Sequence, residues 1–256
     1  MTHEDAVLMN KKSNDSARDH PNERKIMPET TGSVRGKVVL LTGATGPMGR
    51  VLVDEFLDAG AKLALGVRRM ANLPQLELSL AKRGESPMII PCDLRYEENV
   101  VRIIHRVVQR FGRIDAIVNA ALVLGPRLPI IDYPADPWRD VISTNVTGAY
   151  LLCREALPWM VRQRSGSIVH ITTPLTTHVK PEWGAYLVGN HAVEGLTRLL
   201  AAELKGTGVR VNVVDVGMMT SELKPAGRAA DWTRTILHLV SDDSSGQSGE
   251  RITAHA

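Results

Sequence analysis

Tyr186 and Asn190 stand four residues apart in the stretch WGAYLVGNHAVEGLTRLLAAEL, residues 183–204. That spacing puts both side chains on one face of a helix, one turn apart. A phenol can transfer a proton; a carboxamide can only donate and accept hydrogen bonds. Thr173 follows the apolar run GSIVHIT, at the end of an expected strand. A hydroxyl and a phenol brought together could donate to a developing oxyanion.

A second group of residues suggests nucleotide binding. The stretch TGATGPMG, residues 42–49, lies between an apolar run and an amphipathic one. Gly43, Gly46 and Gly49, with Thr45 and Met48 between them, would let the backbone approach a pyrophosphate at a helix N-terminus. The plainer reading is a tight strand–helix turn. GVRR, residues 66–69, ends the next apolar run without an acid. An acid there would bind the ribose 2′-hydroxyl of NAD(H), whereas Arg68 suits the 2′-phosphate and favours NADP(H). A solvated basic turn is the alternative. Asp93, in CDL, could accept from an adenine amino group or cap the following helix. Asn119 and Ala120, in IVNAAL, would let a nucleotide ribose pack closely. Asn145 falls inside a helical stretch, where Asn is unfavourable without a specific partner. Cys92 and Cys153 are far apart and fit neither a metal site nor a disulfide framework, so they read as buried thiols.

These residues need a scaffold that brings them to one edge. Short β-branched runs supply seven expected strands: KVVLLT, AKLALGV, MIIPC, IDAIVNA, GSIVHIT, VRVNVVDV and RIT. Helical stretches alternate with them at about 48–59, 72–83, 97–111, 138–164, 183–204 and 231–240. Such alternation predicts a doubly wound α/β fold, a parallel sheet of about seven strands with helices on both faces. Ligands bind such sheets at the carboxyl ends of the strands, near the switch point, where every motif above falls. Residues 35–256 form this single expected domain. Residues 1–34 are polar and are expected to be a disordered arm.

Bulk composition narrows the partners. The chain has 256 residues, 43% of them hydrophobic, and a formal charge of +3. That is ordinary for a globular protein and gives no case for nucleic acid or a membrane as partner. With no apolar run long enough to span a bilayer and no secretory signal, the expected location is the cytoplasm.

Taken together, the motifs resemble the short-chain dehydrogenase/reductase family in its one-domain branch, from about residue 36 to the C-terminus. GSIVHIT, GAY, AVEGLTRLLAAEL and VRVNVV match it in order and spacing. The resemblance implies a Rossmann-type fold, a nicotinamide cofactor and a small carbonyl or alcohol substrate. It implies Tyr186 as general acid, Thr173 at the position of a carbonyl-holding Ser, and Asn145 as the relay Asn. Asn190 takes the position of a Lys that binds the nicotinamide ribose and lowers the Tyr pKa, and Gly217 takes the cofactor-binding Gly of a P-G pair. Residues depart from the pattern in several places. Pro47 stands where a Gly is expected, VNAAL replaces N-N-A-G, and Val216 replaces the Pro before Gly217. His191, next to Asn190, lies about 100° round the helix and does not replace the Lys. The resemblance also implies a homodimer or homotetramer paired through helices 138–164 and 183–204, or a hetero-oligomer. The connection after Gly217 is short, which leaves little lid and predicts an open pocket. Three functions follow: an NADP(H)-dependent reductase with altered catalysis, a non-catalytic NADP(H)-binding regulatory subunit, or a non-redox lyase, isomerase or cyclase.

Overall fold

The structure is a computed structural model that describes residues 23–25, 33–177, 179–218 and 229–254. Its sheet has eight parallel strands in the order β1-β8-β7-β6-β5-β2-β3-β4. The strands are β1 (Glu23–Lys25), β2 (Val38–Thr42), β3 (Lys62–Val67), β4 (Met88–Pro91), β5 (Ala116–Asn119), β6 (Gly166–Thr172), β7 (Val209–Asp215) and β8 (Arg251–Thr253). The seven expected strands are β2 to β8. The eighth comes from the N-terminal arm, where Glu23–Lys25 pairs with the backbone of Arg251–Thr253. The other arm residues, 1–22 and 26–32, lie outside the described residues.

Among the described residues seven helices flank the sheet: α1 (Pro47–Asp58), α2 (Leu73–Arg83), α3 (Glu97–Phe111), α4 (Ala135–Ile142), α5 (Gly148–Gln163), α6 (Gly184–Glu203) and α7 (Ala229–Val240). Side-chain alternation along β2 sorts the core into two layers. Val39 and Leu41 join Leu52, Phe56, Trp232 and Ile236 of α1 and α7 on one face. Val38 and Leu40 join Ile103, Ile104, Leu152 and Ala156 of α3 and α5 on the other. A strand buried on both faces reads as a near-continuous apolar run, and Val38–Leu41 meet that condition before the strand ends at Thr42.

The long helix expected at 138–164 is interrupted. Between α4 and α5 the backbone widens into a π-helical turn, Ser143–Thr147. The extra residue in such a turn re-aims a side chain, and the residue concerned here is Asn145.

From β2 the chain runs outward through β3 to β4, then returns to β5 on the other side of β2. The crevice of a doubly wound sheet opens at this reversal, at the carboxyl ends of β2 and β5. Thr42 and Asn119 are register partners there, and Thr42 Oγ1 donates to Asn119 Oδ1 at 2.7 Å.

Candidate active site

A cleft of about 710 Å³ opens at that crevice. Its floor is the turn from β2 to α1, with Gly43, Thr45, Gly46, Met48 and Gly49 on the wall. Gly43 has φ of +72°, and a Cβ there would sit 2.6 Å from the Ala120 carbonyl oxygen. A Cβ on Gly49 would come within 2.1 Å of the Gly43 oxygen. Both positions therefore require glycine, and the turn closes tightly onto β5. Gly46 caps α1 without a side-chain acceptor, and Pro47 has no N–H to satisfy. The first-turn amides of Met48 and Gly49 are left for an anion, which the helix dipole favours.

The far wall is basic. Arg68 and Arg69 follow β3, and Arg50 lies on the first turn of α1. Arg50 is braced by Thr45 O (3.2 Å) and Gln75 Oε1 (2.7 Å). Burial, and then the Arg69 charge, lower the Arg68 pKa. Two guanidinium groups side by side favour an anion between them. Asp93 holds Arg95, accepting from Nε at 3.1 Å and Nη2 at 2.8 Å, and Arg95 reaches on to Asp140 at 2.9 Å. Its neighbours Cys92 and Leu94 border the cleft, as does Ala120.

Tyr186, Thr173 and Asn190 converge at the ends of β6 and α6. Asn190 Nδ2 donates to Thr173 Oγ1 at 2.8 Å. The Thr173 hydroxyl keeps its own hydrogen to donate elsewhere. Tyr186 Oη is buried next to both but meets hydrogen-bond geometry with neither. Burial pushes its phenol up to about 12; the two neighbouring side chains pull the other way, and Asp215 adds to the rise.

This trio is not open to the surroundings. Tyr186 is 1% exposed and packs with Leu175 and Trp183, under Leu122, Leu124, Leu187 and Met218. The expected open pocket is thus closed at the phenol among the described residues, while residues 219–228, where a lid would lie, are outside them. Leu122 and Leu124 also border the cleft, so they form the wall between it and the phenol. Asn145 fixes that wall. Its amide donates to Val123 O at 2.8 Å and accepts from Val123 N at 2.9 Å, holding the residue between the two leucines.

Beneath the trio lies a buried ionic cluster. Arg251 binds Asp215 at 2.6 Å and Glu194 at 3.1 Å. Glu194 also accepts from Thr172 (3.1 Å) and Thr176 (2.8 Å), and Asp215 Oδ1 accepts from Gly217 N at 2.9 Å. These bonds tie the ends of β6 and β7 to β8. Sequence reasoning did not reach this cluster, because its charged members, Glu194, Asp215 and Arg251, are more than twenty residues apart and share no motif. It also passed over Arg50, Arg69 and the two wall leucines; only Arg69, next to Arg68, carried a visible signal.

Among the described residues no group of three metal-ligating side chains forms, and no helix is long and apolar enough to cross a membrane. Comparison with known proteins agrees with this geometry. The family model for short chain dehydrogenases matches residues 37–231. A 3-oxoacyl-acyl-carrier-protein reductase of Thermotoga maritima is 29% identical over 243 residues, covering 86% of this chain and 96% of that one. L-fucose dehydrogenase of Oryctolagus cuniculus is 34% identical over 73% of this chain and 64% of its own length. Among solved structures, a protein of Escherichia coli CFT073 in complex with NADPH superimposes with a TM-score of 0.79 at 25% identity, covering 89% of this chain and 100% of that one. With its glycine turn, its switch-point cleft and its tyrosine on α6, the chain belongs to the short-chain dehydrogenase/reductase family of oxidoreductases.

Proposed function

We propose that the chain is an NADP(H)-dependent reductase of a carbonyl group in a small organic molecule, or the corresponding alcohol dehydrogenase, with catalysis weakened at Asn190. The observation that carries the reading is the cleft itself. It joins an uncapped helix N-terminus to three arginines and no acid at the end of β3. A pyrophosphate suits the first and a 2′-phosphate the second. Gly43, Thr45, Gly46, Met48 and Gly49 would hold the pyrophosphate, Arg68 with Arg69 the 2′-phosphate, and Asn119, Ala120 and Gly217 the riboses. Asp93 would accept from the adenine amino group, in competition with Arg95. When bound, NADP(H) would supply or accept the hydride.

The chain's own residues handle the oxygen. Thr173, with its hydroxyl hydrogen left free by the Asn190 bond, donates to the carbonyl. Tyr186 then gives its proton to that oxygen. A phenol held near 12 is neutral at pH 7, so it can act as an acid but makes a poor base. Asn190 can hydrogen-bond a ribose hydroxyl but carries no charge to lower the phenol. Reduction should therefore outpace alcohol oxidation at neutral pH. Asn145 acts by holding the wall and, on this reading, the proton relay.

Following NADPH oxidation against a panel of ketones and aldehydes tests the proposal. Turnover lost in Tyr186→Phe supports it; no turnover with any carbonyl, despite tight NADPH binding, contradicts it. One observation favours a second reading, a non-catalytic NADP(H)-binding partner subunit: Leu122 and Leu124 close off the phenol. A cytoplasmic location and a homodimer or homotetramer complete the proposal. Tyr150, Val161, Val188 and Leu199 leave apolar surface exposed on α5 and α6, which such pairing would cover.

A further inference from the structure

Asn190 also borders a second, much smaller cavity of about 20 Å³. Asn119, Asn145, His170 and Asn190 line it, with Ala121, Leu122, Ile171 and Val193. The imidazole of His170, on β6, is 1% exposed. Its Nε2 lies 3.5 Å from Cys153 Sγ, but its Nδ1 has no hydrogen-bond partner among the described residues. A buried polar atom without a partner is costly and rare. A cavity this size holds one water, provided two or more polar groups reach it. Four side chains with spare hydrogen-bonding capacity border this one.

The Asn190 amide gives such a water a purpose. Its Nδ2 donates to Thr173, which leaves Oδ1 able to accept a hydrogen bond. If the amide turned over, Oδ1 would instead accept the Thr173 hydroxyl hydrogen. Thr173 could then no longer donate to a substrate oxygen.

We propose that this cavity binds a single water that links His170 Nδ1 to Asn190 Oδ1, and that His170 is thereby a positioning residue that fixes the Asn190 amide so that Thr173 remains a donor. His170 touches no substrate on this account; it acts through the water and Asn190. Burial pushes the imidazole down to about 4 and the Cys153 thiol up to about 12, so both partners stay neutral and available for hydrogen bonding at pH 7. The consequence for turnover rests on the Tyr186–Thr173–Asn190 reading, but the water itself does not.

The test therefore begins without turnover. A crystal structure of the wild-type protein should show a water about 3 Å from both His170 Nδ1 and Asn190. The ¹⁵N signal of His170 Nδ1 should be that of a hydrogen-bonded nitrogen. In His170→Leu the Asn190 side-chain amide protons should exchange at least about tenfold faster and kcat should fall, with the NADPH Kd unchanged; His170→Asn, which keeps a polar atom, should recover part of kcat. A dry cavity in the wild-type crystal overturns the proposal, even if His170→Leu does not fold. So does an Asn190 amide whose exchange ignores His170→Leu. A bound water in a protein that reduces no carbonyl supports the site while removing the proposed function.

Discussion

Asn190→Lys isolates what the missing ammonium is worth. The new side chain would rise from α6 one turn after Tyr186, at a position 5% exposed. A Lys charge about 5 Å from the phenol oxygen, at an effective dielectric of about 20, contributes roughly 3 kcal/mol to the phenolate. That equals about 2 pKa units. From its present value of about 12 the phenol should fall toward its ordinary range. The Lys must itself be desolvated, which lowers its own pKa, but Glu194 stands one turn further along the same face as a counter-charge. The phenolate fraction at neutral pH should therefore rise by roughly 30- to 100-fold. Alcohol oxidation, which needs the base, should rise by a similar factor; carbonyl reduction, which uses the neutral acid, should change by only a few-fold. NADP⁺ reduction gives the first quantity. Phenolate absorbance in a pH titration, compared with Tyr186→Phe, gives the pKa. Asn190→Met controls for bulk without charge. A folded, NADPH-binding Asn190→Lys whose phenol does not move and whose oxidation rate does not rise would refute the assignment of Tyr186 and Asn190 to one site.

Other perturbations follow from the same geometry. Arg68→Ala should weaken NADPH binding by about tenfold or more, the loss of one charge-assisted bond, and leave NADH nearly unaffected, as calorimetric titration can read. Leu124→Ala should thin the wall over Tyr186, expose the phenol to a solvent quencher and lower stability by about 1–2 kcal/mol, below the fully buried range because the residue is only half-buried. Arg251→Met removes the guanidinium between two buried carboxylates and should destabilise by about 3–5 kcal/mol, seen as a fall in Tm. His170 gives a pH signature. Its folded pKa of about 4 lies below the ordinary 6.5, so the unfolded chain binds the extra proton between these values. Stability from this group is complete above about pH 6.5 and falls by roughly 3 kcal/mol as the pH drops toward 4. His170→Asn should flatten that part of an acid-denaturation curve.

Local pattern determined how much of this could be read from the chain. Continuous β-branched runs ending in glycine or polar residues specify buried parallel strands, so β2 to β8 were legible. The glycine turn was legible because only glycine fits where Gly43 meets Ala120 and Gly49 meets Gly43. Helical spacing paired Tyr186 with Asn190, and the family resemblance added Thr173 to them. Three features were not legible. The π turn at Asn145 depends on tertiary packing against Val123, which no local propensity encodes. The closure over Tyr186 needs the side-chain positions of Leu122 and Leu124, and a short connection after Gly217 suggested the opposite. The pairing of Arg251 with Glu194 and Asp215 joins residues 57 and 36 positions apart, and only the fold brings them together. The strand at Glu23–Lys25 is likewise an edge addition from a stretch whose polar composition gives no strand signal.

The central claim is that the switch-point cleft with its three arginines selects NADP(H). Calorimetric titration of the wild-type protein with NADPH and with NADH, under identical salt, tests it most directly. The account predicts saturable 1:1 binding of NADPH at least about tenfold tighter than NADH, a difference of about 1.4 kcal/mol or more. Equal affinities, a preference for NADH, or no binding of either would contradict it.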